Sequence, residues 1–171
     1  AALSRISHTK NRMESPEAIA AAAGWNRRDE WIAKIYAYYL KALKESSALD
    51  FDDLLLKTVE LFEESERVRT KYAQQFRYVM VDEYQDTNRP QYLLIKRLVE
   101  QHRNLCVVGD PDQSIYKWRG ADMKNILDFE RDFPEAKVVR LEQNYRSTQV
   151  ILDAASAVIS RNTGRKEKTL W

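Results

Sequence analysis

FRYVMVDEYQD, residues Phe76 to Asp86, closes a short apolar run with a pair of acids. Tyr78, Val79, Met80 and Val81 are a β-rich run between polar residues, a composition that predicts a buried strand rather than a turn of helix. Asp82 and Glu83 stand at its carboxyl end. In open α/β sheets ligands collect in the crevice outside the carboxyl ends of the strands. An Asp there can hold Mg²⁺ through oxygen, mostly by way of retained waters, and a neighbouring Glu can accept a proton from an attacking water. The plain alternative is a strand followed by an acidic helix start.

A second strand-like run, NLCVV at Asn104 to Val108, also stops at a polar turn, Gly109-Asp110-Pro111-Asp112-Gln113. Between the two runs Pro90 suits the first position of a helix, and Tyr92, Ile95, Leu98 and Val99 recur at helical spacing. Strand, helix and strand within about thirty residues form a βαβ unit, whose strands are parallel. Both acid-tipped turns are therefore expected on one edge of one sheet, an arrangement that solvated loops explain poorly.

Three strings now resemble a known family. VDEYQDTN at Val81 to Asn88, VVGDPDQSIYKWRGAD at Val107 to Asp122 and LEQNYRST at Leu141 to Thr148 are similar to motifs II, III and IV of the UvrD/Rep/PcrA-type superfamily 1 DNA helicases. SRISHTKN at Ser4 to Asn11 and ALDFDDLL at Ala48 to Leu55 look like segments of the same family. The resemblance covers nearly the whole chain, and the chain covers an internal piece of the family. The resemblance implies an α/β fold: a partial RecA-like parallel sheet with flanking helices, plus a helical accessory subdomain of the 1B type, helix-rich overall. The expected division is 1–47 for that accessory subdomain, 48–140 for the later part of the first motor domain and 141–171 for the start of the second.

Composition agrees with an intracellular protein. The chain of 171 residues has one cysteine, Cys106, which excludes an internal disulfide and is expected as a small buried hydrophobe. No run approaches the about eighteen apolar residues of a membrane span, and no signal-peptide pattern opens the chain, so the cytoplasm is the expected location. Lys and Arg number 28 against 26 acids, a net charge of +2, so any contact with nucleic acid must come from a local groove.

In chain order, Ala1 to Asn11 has no strong period and is expected as a lead-in. Ser15-Pro16-Glu17 starts a helix that Gly24 stops. A longer helix is expected from about Arg28 to Glu45, with Trp31, Ile35, Tyr38, Tyr39 and Ala42 on its core face. Asp50 caps the next helix, with Asp52 and Asp53 in its first turn and Leu54, Leu55, Thr58, Leu61 and Phe62 as its buried face. Ser65 begins another helix that reaches Gln75. Beyond the sheet, Met123 to Phe133 reads as an amphipathic helix, KVVRL at Lys137 to Leu141 as a third strand, and Val150 to Ser160 as a helix capped by Ser147 or Thr148. The tail from Arg161 to Trp171 is basic and expected to be loose.

The resemblance also distributes roles. It implies Asp82 as the partner of Mg²⁺, Glu83 as the base for water, Gln113 and Arg146 as contacts to the γ-phosphate of ATP, and Tyr145 as the ring stacked on adenine. It implies Trp118 as the ring on which a DNA base stacks, with Tyr116 lining the same path and Arg119 assisting. The chemistry suits these roles, since flat rings interleaved with cations such as Lys117 bind single strands without sequence preference, and a guanidinium matches phosphate oxygens. Packing under the loop stays open for Tyr116, and a surface pair with Glu142 for Arg146. No glycine precedes a lysine in the chain, so the G-x-x-x-x-G-K-[ST] loop is absent from it. The expected function is a part of an ATP-dependent 3′ to 5′ DNA helicase acting on single-stranded DNA and duplex junctions, inactive when isolated. The alternatives are the motor part of an AddA or RecB-type helicase-nuclease, and a non-catalytic single-stranded-DNA-binding module.

Overall fold

In the computed structural model, residues 2–162, 168, 170 and 171 are described, with the side chain of Arg119 excepted. The expectation for the basic tail therefore falls largely outside the described residues. The chain opens on a helix, α1 (Ala2–Asn11), where a lead-in was expected. The periodicity of α1 is weak because the residues it buries are Ile6, Thr9 and Lys10, two of them polar.

Lys10 explains the placement of α1. It is 1 % exposed, and its ammonium donates to Asp50 Oδ2 at 2.7 Å and Asp53 Oδ1 at 2.8 Å. A buried charge is tolerated when it is paired and hydrogen-bonded, and here two carboxylates meet it. The same acids start α4 (Phe51–Glu64): Asp53 N donates to Asp50 Oδ1 at 2.9 Å and Asp50 N to Asp53 Oδ2 at 3.2 Å, a reciprocal capping box. Tyr39 Oη adds a bond to Asp50 Oδ2 at 2.9 Å. Burial would raise the Asp50 carboxyl, but the hydrogen bonds from Lys10, the Asp53 backbone and Tyr39 hold it below its ordinary value. The bond to Asp50 in turn pushes the Tyr39 hydroxyl up to about 12. The capping role of Asp50 and Asp53 is thus present, and it is joined by an ion pair that the capping argument did not contain.

Ser15 caps α2 (Pro16–Ala22), with Pro16 at its first turn, and Gly24 takes the left-handed φ of +52° just past its end. In α3 (Arg27–Glu45) the buried residues are Ile32, Ala33 and Tyr36. Of the expected core face, Trp31, Ile35 and Tyr38 are instead turned outward, with Trp31 65 % and Tyr38 74 % exposed, while Tyr39 and Ala42 are half-buried. Both stripes have helical spacing, and the packing of α1 and α2 against α3 selects the one through Ile32 and Tyr36. A similar rotation affects α4, which buries Val59 and Phe62 while Leu54 and Leu61 are exposed. Ser65 caps α5 (Glu66–Gln75) as expected, and α4 packs against α5 and α6.

The sheet among the described residues has two parallel strands, β1 (Val79–Val81) and β2 (Leu105–Val107), in the register Val79 with Leu105, Met80 with Cys106 and Val81 with Val107. Between them runs α6 (Arg89–Val99), entered through a capping box of Asn88 and Gln91, with Pro90 in its first turn and Tyr92 and Val99 buried. The βαβ reading holds, but the buried strand does not. Alternate residues point to opposite faces: Val79, Val81, Leu105 and Val107 are half-buried, while Met80 is 78 % exposed and its partner Cys106 is exposed. One face of the sheet is covered and the other is open, which overturns the expectation for Cys106.

Past β2, the expected helix from Met123 is split at Asp128 into α7 (Lys124–Leu127) and α8 (Phe129–Asp132). Residues 137–141 form no strand, and Val138, Val139 and Leu141 are exposed. A strand needs a neighbour for its backbone groups; nearby, it is Glu142 and Asn144 that bond, to the backbone of Trp171 at 3.0 and 2.7 Å. Thr148 occupies the N-cap position of α9 (Gln149–Ile159) without a capping bond from its side chain. Asn144 Oδ1 instead receives the backbone N–H groups of Arg146 and Ser147 at 2.9 and 2.8 Å.

Lys10→Met keeps the length of the side chain and leaves two acids facing each other without their cation. Removing one partner of a buried pair costs about 3 to 5 kcal/mol. Urea unfolding of the substituted chain is expected to show a midpoint lowered accordingly, and a midpoint equal to that of the unsubstituted chain would make the ion pair incidental.

Candidate functional site

The two turns at the carboxyl ends of β1 and β2 are locked to each other by backbone. Val108 N donates to Val81 O at 2.8 Å, and Tyr84 N returns the contact to Val108 O at 3.0 Å. Glu83 sits between these bonds with φ +49° and ψ +42°, a left-handed conformation that is uncommon for a residue with a side chain. Asp82 Oδ1 accepts from Glu83 N at 2.9 Å, and both acids are exposed at the sheet edge. Tyr84 anchors the turn from below, buried against the edge of Phe129 with ring centroids 5.6 Å apart. Burial pushes its hydroxyl up to about 12.

Directly behind Glu83 lies Gln85, which is 0 % exposed. Its Nε2 donates to Glu83 Oε2 at 2.7 Å, its Oε1 accepts from Asp110 N at 2.9 Å, and its backbone oxygen receives Ser114 Oγ at 3.3 Å. Gly109 is the residue that lets this turn approach: a Cβ there would lie 2.7 Å from Gln85 Oε1 and 3.2 Å from Tyr84 N. In the second turn Asp110 caps the Pro111–Gln113 segment through Asp112 N at 3.0 Å, and Gln113 Nε2 donates to Asp110 Oδ2 at 2.7 Å. Lys168 pairs with Asp110 and lies 3.4 Å from Asp112. Burial would raise the Asp110 carboxyl, and the hydrogen bonds from Lys168, Gln113 and Asp112 N hold it below its ordinary value.

The aromatic loop is tied to the same place. Asp122 N donates to Thr87 O at 3.0 Å, and Asn125 Nδ2 reaches Thr87 O and Oγ1 at 3.0 and 3.1 Å. Gly120, with φ +90°, sits where an added Cβ would come within 3.1 Å of Asn11 Cβ. Asn11 itself donates to Ser7 O at 2.8 Å and Asp52 Oδ1 at 3.0 Å and accepts from Asn88 Nδ2 at 2.6 Å. It thereby joins α1, the start of α4 and the start of α6 beneath the loop. Tyr116 and Trp118 form a tilted ring pair 6.3 Å apart, and Trp118 is 73 % exposed. Trp118 borders a groove of about 690 Å³ whose lining includes Arg5, His8, Asn11, Arg28 and Asn88. The side chain of Arg119 lies outside the described residues.

The structure thus brings together Asp82, Glu83 and Gln113, and places Tyr116 and Trp118 three and five residues beyond Gln113, on a loop anchored through Asp122 and Asn125. Tyr145 and Arg146 lie on the segment that leads into α9. Both are exposed, the Tyr145 hydroxyl donates to Gln143 Oε1 at 2.8 Å, and no described contact joins Arg146 to Glu142 or to the acids. No group of three or more His, Cys, Asp or Glu among the described residues could hold a metal ion. A single exposed carboxylate at Asp82 still suits Mg²⁺, which keeps most of its waters and binds through one or two carboxylates plus substrate phosphates. Sequence reasoning missed Lys10, Asn11 and Gln85, three polar side chains whose partners are distant in sequence. Among the described residues no helix is long and apolar enough to cross a membrane.

Comparison with known proteins bears on this arrangement directly. The family described as UvrD/REP helicase N-terminal domain matches residues 1–134. The protein named ATP-dependent DNA helicase PcrA in Bacillus subtilis (strain 168) is 53 % identical over 169 residues, which is 99 % of this chain and 23 % of that protein. The protein of the same name in Leuconostoc citreum is 53 % identical over 169 residues, 99 % of this chain and 22 % of its own length. That of Staphylococcus aureus (strain Mu50 / ATCC 700699) is 51 % identical over 166 residues, 97 % of this chain and 23 % of its own. The chain therefore spans less than a quarter of the length of these relatives. With the acid turn, the second turn and the aromatic loop all inside the matched residues, the chain belongs to the UvrD/REP family of superfamily 1 helicases.

Proposed function

We propose that this chain supplies the acid edge and the DNA-contacting loop of an ATP-dependent DNA helicase that moves 3′ to 5′ along single-stranded DNA and opens duplex junctions in the cytoplasm. The observation that carries the reading is the shared foundation of the two sites. Thr87, at the end of the segment that bears Asp82 and Glu83, receives bonds from Asp122 and Asn125 of the segment that follows Trp118. The names of the relatives, ATP-dependent DNA helicases, support the reaction class.

In this reading residues 1–47 are the accessory helical part, 48–140 the later part of the first RecA-like motor domain and 141–171 the start of the second. Asp82 would hold Mg²⁺, which when bound with ATP neutralises charge on the phosphates. Glu83 takes a proton from the water that attacks the γ-phosphate. Gln113, on the second turn, contacts the γ-phosphate; Arg146 brings a fixed cation to the same group, and Tyr145 a ring for the adenine. Trp118 stacks on a base, with Tyr116 and Arg119 along the same strand path. A motor of this type works by positioning and by stabilising charge, so the value of the scaffold lies in holding these groups at one edge.

Glu83→Gln in the longer polypeptide keeps the shape and cannot take the proton. The expected result is near-normal nucleotide and DNA binding with turnover reduced by about 10² to 10⁴; near-normal phosphate release would remove Glu83 from the mechanism. Trp118→Ala is expected to weaken binding of an oligo-dT single strand by about 1 to 3 kcal/mol at fixed salt while sparing DNA-independent hydrolysis. Unchanged affinity would return Trp118 to a packing role. The chain alone, which carries no G-x-x-x-x-G-K-[ST] sequence, is expected to release no phosphate from Mg-ATP. DNA-stimulated release that disappears with Glu83→Gln would reveal a phosphate site elsewhere in it.

A further inference from the structure

We infer that Gln85 is a positioning residue that holds the Glu83 carboxylate in register with the Asp110–Gln113 turn, an inference that rests on the assignment of Glu83 as the base. Its amide has no freedom of orientation. Nε2 faces a carboxylate oxygen and Oε1 faces a backbone N–H; turning the amide over would set oxygen against carboxylate and donor against donor. With no exposure to solvent, neither end has water as an alternative partner.

Three further observations give this contact a direction. Glu83 has the left-handed backbone noted above, so its side chain starts from a strained position that the surroundings must maintain. Gly109 presses on the amide closely enough that a methyl group would collide with Oε1. Asp110, bonded to Gln85 through its N–H, accepts Gln113 Nε2 on its carboxylate. Glu83, Gln85, Asp110 and Gln113 therefore form one run of side chains and backbone between the base and the glutamine of the second turn. A shift of that turn is carried to the Glu83 carboxylate by hydrogen bonds already in place. A filler role, in which Gln85 only fastens two loops, makes a different forecast: both turns would loosen together and every rate would fall alike.

The experiment compares Gln85→Glu and Gln85→Met in the longer polypeptide, measuring phosphate release with and without oligo-dT, KM for ATP, and Tm. Gln85→Glu retains an acceptor for Asp110 N–H and loses the donor to Glu83; Gln85→Met loses both at similar volume. The expected result for both is kcat lower by about 10 to 100-fold, as for other groups that orient a reacting side chain, with KM for ATP little changed and the ratio of DNA-stimulated to basal turnover reduced. A Gln85→Met protein that binds ATP normally, with kcat and stimulation ratio like the unsubstituted protein, overturns the inference. So does an equal fall in basal and stimulated rates that leaves the ratio intact. Glu83→Gln run alongside separates the two levels: if it retains turnover, the assignment of the base has failed, whereas if it is inactive and the Gln85 variants are normal, only the role of Gln85 has failed.

Discussion

A cation without water must be met by anions, and the arrangement of this chain follows from how Lys10 meets that requirement. Two carboxylates at the start of α4 close on its ammonium, and they are the same two that cap the helix backbone. Buried ion pairs contribute little net stability, because desolvation offsets most of the attraction, but a mispaired partner is costly. The pair therefore acts chiefly on placement: α1 has one low-energy position relative to α4. One residue further on, Asn11 is thereby delivered to the junction of Ser7, Asp52 and Asn88, with Gly120 closing on it from the aromatic loop. The site that would meet DNA is thus held by polar contacts that start well away from it.

Strand β1, helix α6 and strand β2 were readable because their signals are local. A β-rich apolar run, a Pro in the first turn and apolar residues at helical spacing lie within a few residues of what they determine. The face of α3 was not readable for the opposite reason: Trp31, Ile35 and Tyr38 compete with Ile32, Ala33 and Tyr36, and the outcome is decided by α1, a helix whose buried lysine and threonine hide its period. The residues from Lys137 to Leu141 have the composition of a strand and no strand beside them. Composition supplies the tendency, and a hydrogen-bonding neighbour is needed to realise it.

A similar division holds at the site. Asp82 and Glu83 could be picked out as candidates because ligands gather at the carboxyl ends of parallel strands and these two follow β1, whereas the role given to Gln113, on the turn after β2, came from the resemblance. Gln85 lies inside the most informative stretch of the sequence and still gave no signal, since its burial depends on Asp110, twenty-five positions away. Tyr145 and Arg146 were assigned by resemblance alone, and both are exposed on the segment that leads into α9.

The charges at that edge sharpen what each acid is able to do. Of the four carboxylates there, Asp110 is occupied by Lys168, Gln113 and a backbone amide, and Asp112 lies within ion-pair distance of Lys168. Asp82 and Glu83 are the exposed pair, and one oxygen of each is already engaged, by Glu83 N and by Gln85 Nε2. A polyphosphate approaching two exposed carboxylates is repelled unless a cation stands between them, because like charges at close range are costly wherever water is displaced. Asp82 and Glu83 also differ in how they are held, in a way that suits the two proposed roles. Asp82, exposed just past the end of β1, has one oxygen engaged by Glu83 N, and under the proposed function its other oxygen would meet a hydrated cation. Glu83, left-handed in its backbone and tethered by Gln85, is held in place as the proposed base for water would need to be.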